Sequence, residues 1–438
     1  MNGMNQGPLR ILSELVSINT VNDPINSIKP SRDCAAYIRE RLQDQGTTCE
    51  ILDDEGVCSV LARLGKGRPK LLFLAHYDTV PANTTEWKRP PFQLTLENGK
   101  GYGRGALDDK ANVAAIITAI SELKEAQAAG SLVCAFTGDE EIGGDHGAKF
   151  IKKILVQNDM LPQSVVNGDG VGSALIVRRR NSFDVSLESR MTKNTSIDTK
   201  TKRFITRADS HHAAYFTPGL DSHCLLEASK FLRTHRDYLV HDVMGGFIKR
   251  NIIPSDCELT YSIEKEKNQA NEDPLTNLMR ALLPLSRVNI SSEFSEFGVT
   301  ISPNVVRYDV DRVIVEVDVR AMTNDQGIVE SAFRRALVNL LPEVKVSIEG
   351  SGSCVNTDTK SDVVNAGLQT LQKLGLEPRC VEREGASDAR HFAPLGIPTI
   401  DFGPNGANLH GPDEYVEIDS LKQLPRFYSG TARQLLKQ

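Results

Sequence analysis

The chain has 438 residues, a formal net charge of −6 and a pI near 5.9. That length exceeds one usual core and predicts two domains, while 40% hydrophobic and 25% charged residues are ordinary for a globular enzyme. The acidic balance excludes a broad attraction to nucleic acid or anionic lipid, and no segment has the ~18 apolar residues of a membrane span or the pattern of a secretion signal. Eight scattered cysteines with no CxxC pair read as reduced thiols, so the expected location is cytoplasmic.

From the N-terminus, Leu9, Ile11, Leu12, Leu15 and Val16 share one helical face between Pro8 and Val21, and a second amphipathic helix is expected at about 31–45. The apolar run 71–75 reads as a buried strand. A long loop with Pro81, Trp87, Pro90 and Pro91 follows, then a glycine-rich segment. The alanine-rich helix after it carries Val113, Ile116, Ile117, Ile120 and Leu123, which places Asp108 at its N-terminus. Strand 132–136 and helix 150–155 continue the alternation of an α/β fold with a mostly parallel sheet.

From about Ser182 the rhythm changes. Phe183, Val185 and Leu187, and later Val313, Val315, Val317 and Val319, alternate with polar residues, which predicts antiparallel strands. Helical stretches near 220–233 and 327–341 accompany them, and the polar stretch 192–202 reads as a loop. Helix 362–374 and strand 397–400 return to the first pattern. The chain therefore reads as a discontinuous catalytic domain, 1–181 and 354–438, interrupted by an inserted α+β lid at 182–353.

Four apolar runs lead to potential ligands: His76-Tyr77-Asp78, Glu140-Glu141, Asp169 and His410. Open α/β sheets form ligand sites at the carboxyl ends of their strands. Imidazole and carboxylate donors suit two divalent ions such as zinc, and one carboxylate can bridge ions roughly 3.5–4 Å apart. Asp108, central in the set and beside a helix N-terminus, is the best bridge. Asp78, two residues beyond His76 on an extended strand, is placed to accept the imidazole N–H and fix its tautomer. Taken singly, a His-x-Asp triplet, a Glu-Glu pair and a Gly168-Asp169-Gly170 turn have plainer explanations. The segment Gly101-Tyr102-Gly103-Arg104-Gly105-Ala106 fits a dinucleotide pattern, but polar Asn98-Gly99-Lys100 precedes it instead of a buried strand, so that reading is rejected. Jointly, ligand count and strand-end placement point to a paired-metal hydrolase.

The segments Ala75-His76-Tyr77-Asp78-Thr79-Val80-Pro81, Gly103-Arg104-Gly105-Ala106-Leu107-Asp108-Asp109-Lys110, Thr137-Gly138-Asp139-Glu140-Glu141, Gly385-Ala386-Ser387-Asp388-Ala389-Arg390 and His410-Gly411-Pro412-Asp413-Glu414 resemble the M20 family of metallopeptidases and deacylases, in that family's order. The resemblance implies one metal held by His76, Asp108 and Asp169 and a second held by Asp108, Glu141 and His410, with zinc expected and cobalt or manganese as alternatives. It implies Glu140 as the general base, taking a proton from water and delivering it to the leaving amine, with Asp78 supporting the site. It further implies a homodimer formed through the lid, in which His212 of Ser210-His211-His212-Ala213-Ala214-Tyr215 steadies the oxyanion in the partner's site. Arg320 would grip a substrate carboxylate, a purely structural Asp318–Arg320 interaction being the alternative, and Asn304, Gly385 and Arg390 would also bind substrate.

The sequence departs from the resemblance in places. Ala111 replaces a usual glycine, the Asp108-Asp109 pair looks like peptidase members, Gly406 stands where desuccinylases carry asparagine, and 235–302 adds sequence that includes Asn251-Ile252-Ile253-Pro254. The expected activity is cleavage of an amide bond in an N-acyl amino acid or short peptide, a small molecule bearing a carboxylate. An M28-type di-zinc aminopeptidase and a non-catalytic metal-binding homologue are the alternatives.

Overall fold

The computed structural model of this chain describes residues 7–24, 26–125, 131–191, 198–208, 212–217, 219–264, 273–291, 298–338, 341, 343–350 and 352–437. The chain divides into two compact units, one of Met1–Arg178, Val355–Arg383 and Ser387–Gln438, the other of Arg179–Cys354 and Glu384–Ala386.

The first unit is an α/β structure on a nine-stranded sheet. At its centre four parallel neighbours lie in the order Leu132–Thr137, Leu71–His76, Ser164–Asn167 and Thr399–Asp401. Every residue of Leu71–His76 is buried because both faces are covered. Leu71, Phe73 and Ala75 join one core with helices Pro8–Ser17, Lys110–Glu125 and Ile418–Leu436, while Leu72 and Leu74 join another with helix Ala148–Gln157. Burial on both sides is what makes such strands read as unbroken apolar runs.

The sheet is parallel only at that centre. Val57–Leu64 runs antiparallel to Leu132–Thr137, Thr48–Asp54 antiparallel to Val57–Leu64, and Leu175–Arg179 antiparallel to Thr399–Asp401. The mostly parallel sheet expected from the sequence is thus a mixed one. Thr48–Asp54 and Val57–Leu64 form a hairpin through Glu55 and Gly56, both at positive φ, and a hairpin needs no crossover helix.

Other boundaries shift for local reasons. The first helix stops at Ser17, and the second is Arg32–Gln43, where Ser31 Oγ accepts the Asp33 N–H over 3.2 Å as a cap. Inside the expected loop after Asp78, Thr95–Glu97 and Lys100–Tyr102 form a small sheet with Gly406–Ala407 and Tyr415–Glu417. The strand expected at 397–400 is Thr399–Asp401.

The second unit holds an antiparallel sheet in the order Thr300–Asp309, Arg312–Ala321, Asn181–Arg190 and Lys345–Gly350, and a three-stranded sheet in the order Lys200–Ile205, Asp256–Ile263 and Tyr238–Gly245. The inward residues Phe183, Val185, Leu187, Val313, Val315, Val317 and Val319 share one core with helices Cys224–Thr234, Pro274–Leu285 and Gln326–Val338. Of the expected loop 192–202, residues 192–197 lie outside the described residues. Lys200–Ile205, by contrast, is a strand paired along Asp256–Ile263. Its mostly exposed side chains leave no apolar alternation to read.

Candidate metal centre

The carboxyl ends of the parallel strands gather the expected ligands into two overlapping groups. His76, Asp108 and Asp169 offer one ligand atom each within 4.8 Å of one another, and so do Asp108, Glu141 and His410. His76 ends its strand, Asp169 stands two residues past Ser164–Asn167, and Glu141 lies in the 3₁₀ turn Glu140–Ile142 beyond Leu132–Thr137. Asp108 precedes helix Lys110–Glu125. Its two oxygens face different rings, Oδ1 2.9 Å from His76 Nε2 and Oδ2 3.0 Å from His410 Nε2, and His410 Nε2 is also 3.1 Å from Glu141 Oε2.

Donors bound to one ion at about 2 Å sit roughly 3.3 Å apart, so these spacings match donors around shared ions. Burial alone would lower the His76 and His410 pKa values, but the surrounding carboxylates raise both well above the usual imidazole range. Glu141 Oε1 is buried without a hydrogen-bond partner among the described residues, a cost that a bound cation would remove. The donor set fits two divalent ions, with Asp108 common to both groups.

Asp78 does more than face His76. Its Oδ1 lies 3.3 Å from His76 Nδ1 and accepts the Glu140 N–H over 3.1 Å, while Oδ2 accepts the Glu141 N–H at 3.2 Å and the Asn22 amide at 3.1 Å. Asp109 Oδ2 accepts the His76 N–H over 3.2 Å, and Asn112 holds its other oxygen at 2.6 Å. Sequence reasoning missed Asn22 and Asn112, whose partners are distant in the chain or masked by a helical pattern. Glu140 is mostly buried, and burial pushes its carboxyl up to about 7 against the pull of His76 and Arg390. Arg390, in the turn Asp388–His391, places Nη2 3.8 Å from Glu140 Oε1.

The remaining candidates belong to the second unit. His212 Nδ1 accepts the Ala214 N–H over 3.1 Å and caps the turn Ala213–Tyr215, so a neutral ring carries its proton on Nε2. The neighbouring Ser210 and His211 lie outside the described residues. Arg320 is buried, and Asp318 takes its Nε and Nη2 at 2.7 and 2.8 Å. Asn304 is fully buried, with Oδ1 3.0 Å from His223 Nε2 and 2.8 Å from Ser302 Oγ and its amide donating to the Arg250 carbonyl. Direct substrate contact by Asn304 would therefore displace existing bonds. The Gly385 carbonyl accepts from Arg179 Nη1 over 3.0 Å.

The model of peptidase family M20/M25/M40 matches residues 72–434. Among curated relatives, the succinyl-diaminopimelate desuccinylase of Alkalilimnicola ehrlichii is 26% identical over 448 residues, which cover 97% of this chain and 100% of that protein. Among solved structures, the aminoacylhistidine dipeptidase of Vibrio alginolyticus has a TM-score of 0.68 at 16% identity, covering 97% of this chain and 96% of its own. A dinuclear metal-binding M20 peptidase of Bacillus subtilis has a TM-score of 0.56 at 15% identity, covering 98% of each. At these identities the two structures speak for the fold.

Proposed function

The chain belongs to peptidase family M20/M25/M40 and is a metallohydrolase of amide bonds, and we propose that its substrate is an N-acyl amino acid or short peptide with a free carboxylate. The observation that carries this reading is the pair of three-donor groups sharing Asp108, with Glu140 beside them. We assign His76, Asp108 and Asp169 to one ion and Asp108, Glu141 and His410 to the other. Zinc ions bound there would polarise the scissile carbonyl and acidify water.

Glu140, next in sequence to the proposed ligand Glu141, takes the proton of the attacking water and delivers it to the leaving amine. Asp78 orients His76 and holds the backbone of both glutamates. Arg390 steadies charge on Glu140 and, with Gly385, borders the substrate. Arg320 receives the carboxylate, and Asn304 keeps the Arg250 segment in place. The second unit acts as a lid through which two copies pair, and His212 Nε2–H donates to the oxyanion in the partner's site. Eight free thiols support a cytoplasmic setting.

The relatives named above span deacylase and dipeptidase chemistry, so the test is a substrate panel. Zinc-loaded protein is assayed on N-acetyl and N-succinyl amino acids and on dipeptides with free or blocked amines, each with a free or esterified carboxylate. We expect hydrolysis that chelation abolishes, with free acids preferred over esters by about 2 kcal/mol or more in transition-state binding. Turnover surviving exhaustive chelation, or equal use of acids and esters, would overturn the proposal. A strict need for a free amine would favour aminopeptidase action instead.

A further inference from the structure

We propose that Arg104 and Glu414 are a positioning pair that sets the placement of Asp108 against His410, an inference that rests on reading those two residues as metal ligands. The side chains of Arg104 and Glu414 are buried, with 3% and 1% relative exposure, and Arg104 Nη1 donates to Glu414 Oε2 over 2.6 Å. Each partner then reaches a different ligand-bearing segment. The Glu414 carboxylate accepts the backbone N–H groups of Gly105 at 3.2 Å, Leu107 at 2.8 Å and Asp108 itself at 3.1 Å. Arg104 Nη2 donates to the carbonyls of His410 at 3.1 Å and Gly411 at 3.2 Å, and to that of Pro81 at 3.4 Å.

Asp108 and His410 are 302 positions apart and share no strand or helix. One ion pair thus fastens the backbone of both. The chemistry is matched to the task, since a carboxylate only accepts and a guanidinium only donates. The backbone at each end is also specialised. Gly105 has φ +80°, and a Cβ there would lie 2.8 Å from Thr79 Cγ2, so the turn that brings these N–H groups to Glu414 suits glycine. His410 has φ 61°, a conformation that non-glycine residues keep where the surroundings impose it. Desolvation offsets much of a buried pair's attraction, so its chief consequence here is geometric. The group Asp108, Glu141 and His410 contains both tethered residues, whereas the group His76, Asp108 and Asp169 contains one.

The test titrates zinc into metal-free parent, Arg104→Lys, Glu414→Gln and, as a benchmark for the second group, His410→Ala. Affinities are read by competition with a chromophoric chelator, cobalt absorption spectra report coordination, and circular dichroism of the metal-free proteins reports folding. In Arg104→Lys and Glu414→Gln one ion should bind within ~3-fold of the parent while the other weakens by about 10- to 100-fold. Their cobalt spectra should move toward that of His410→Ala, with metal-free melting close to the parent's. Unchanged binding of both ions, equal weakening of both, or loss of the folded signal in the metal-free variants would overturn the positioning role. A parent that binds fewer than two ions would instead overturn the ligand reading and this inference with it.

Discussion

Asp78 shows how one side chain can organise several groups. Its carboxylate faces the imidazole of His76 and accepts the backbone N–H groups of Glu140 and Glu141, so one side chain ties the ring to the backbone of both glutamates. The two glutamates, adjacent in sequence, have different neighbours. Glu141 Oε2 lies 3.1 Å from His410, whereas Glu140 lies beside Arg390. Glu140→Gln keeps the side-chain volume and removes the proton acceptor. It should retain the parent's metal content by elemental analysis while turnover falls by the ~10²–10⁴ typical of general acid–base catalysis. Near-normal turnover in a fully loaded variant would place the base elsewhere.

At the scale of elements, the turn after Leu132–Thr137 and the 3₁₀ turn Asp388–His391 are packed so closely that only glycine fits between them. Gly144 has φ +71°, and a Cβ there would lie 2.3 Å from Asp388 Oδ1. His391 lies in the same contact, its Nε2 3.2 Å from the Gly143 carbonyl oxygen. Burial first, then the neighbouring Arg390 charge, pushes its pKa down from 6.5 to about 3.

The unfolded chain therefore binds a proton at His391 below pH 6.5 that the folded chain refuses until about pH 3. Stability must fall as pH drops through that window. By pH 4 the loss reaches roughly 3 kcal/mol. Denaturant unfolding at pH 7 and pH 4 should show a smaller acid loss in His391→Gln than in the parent, by about 2–3 kcal/mol. Equal losses would mean that His391 titrates alike in both states.

For the whole molecule, the proposed role of His212 requires two copies. A single oxyanion donor is worth about 10²–10³ in kcat, so His212→Ala and Glu140→Gln homodimers should both be slow. In a mixed dimer one site lacks both groups and the other keeps both. Activity should partly return when the two variants are mixed under conditions of subunit exchange, measured as turnover against the unmixed controls. No recovery despite demonstrated exchange would confine His212 to its own chain or to a structural role.

Much of the α/β core was legible because strands covered on both faces must be apolar throughout, as Leu71–His76 and Leu132–Thr137 are. Four of the five candidate ligands were legible for a related reason, since each follows such a strand or opens a helix, whereas His410 stands three residues past the short antiparallel strand Gly406–Ala407. Period-two alternation likewise marked Asn181–Arg190 and Arg312–Ala321. Only the tertiary structure decided the antiparallel flanks of the sheet, the strand Lys200–Ile205, and the partners that orient the site. Asn22 meets Asp78 across 56 positions, and Glu414 meets Asp108 across 306. Asp318 claims one edge of Arg320. A hydrophobic pattern records whether a residue faces a core, but a buried polar side chain takes its partner from whatever the fold brings beside it.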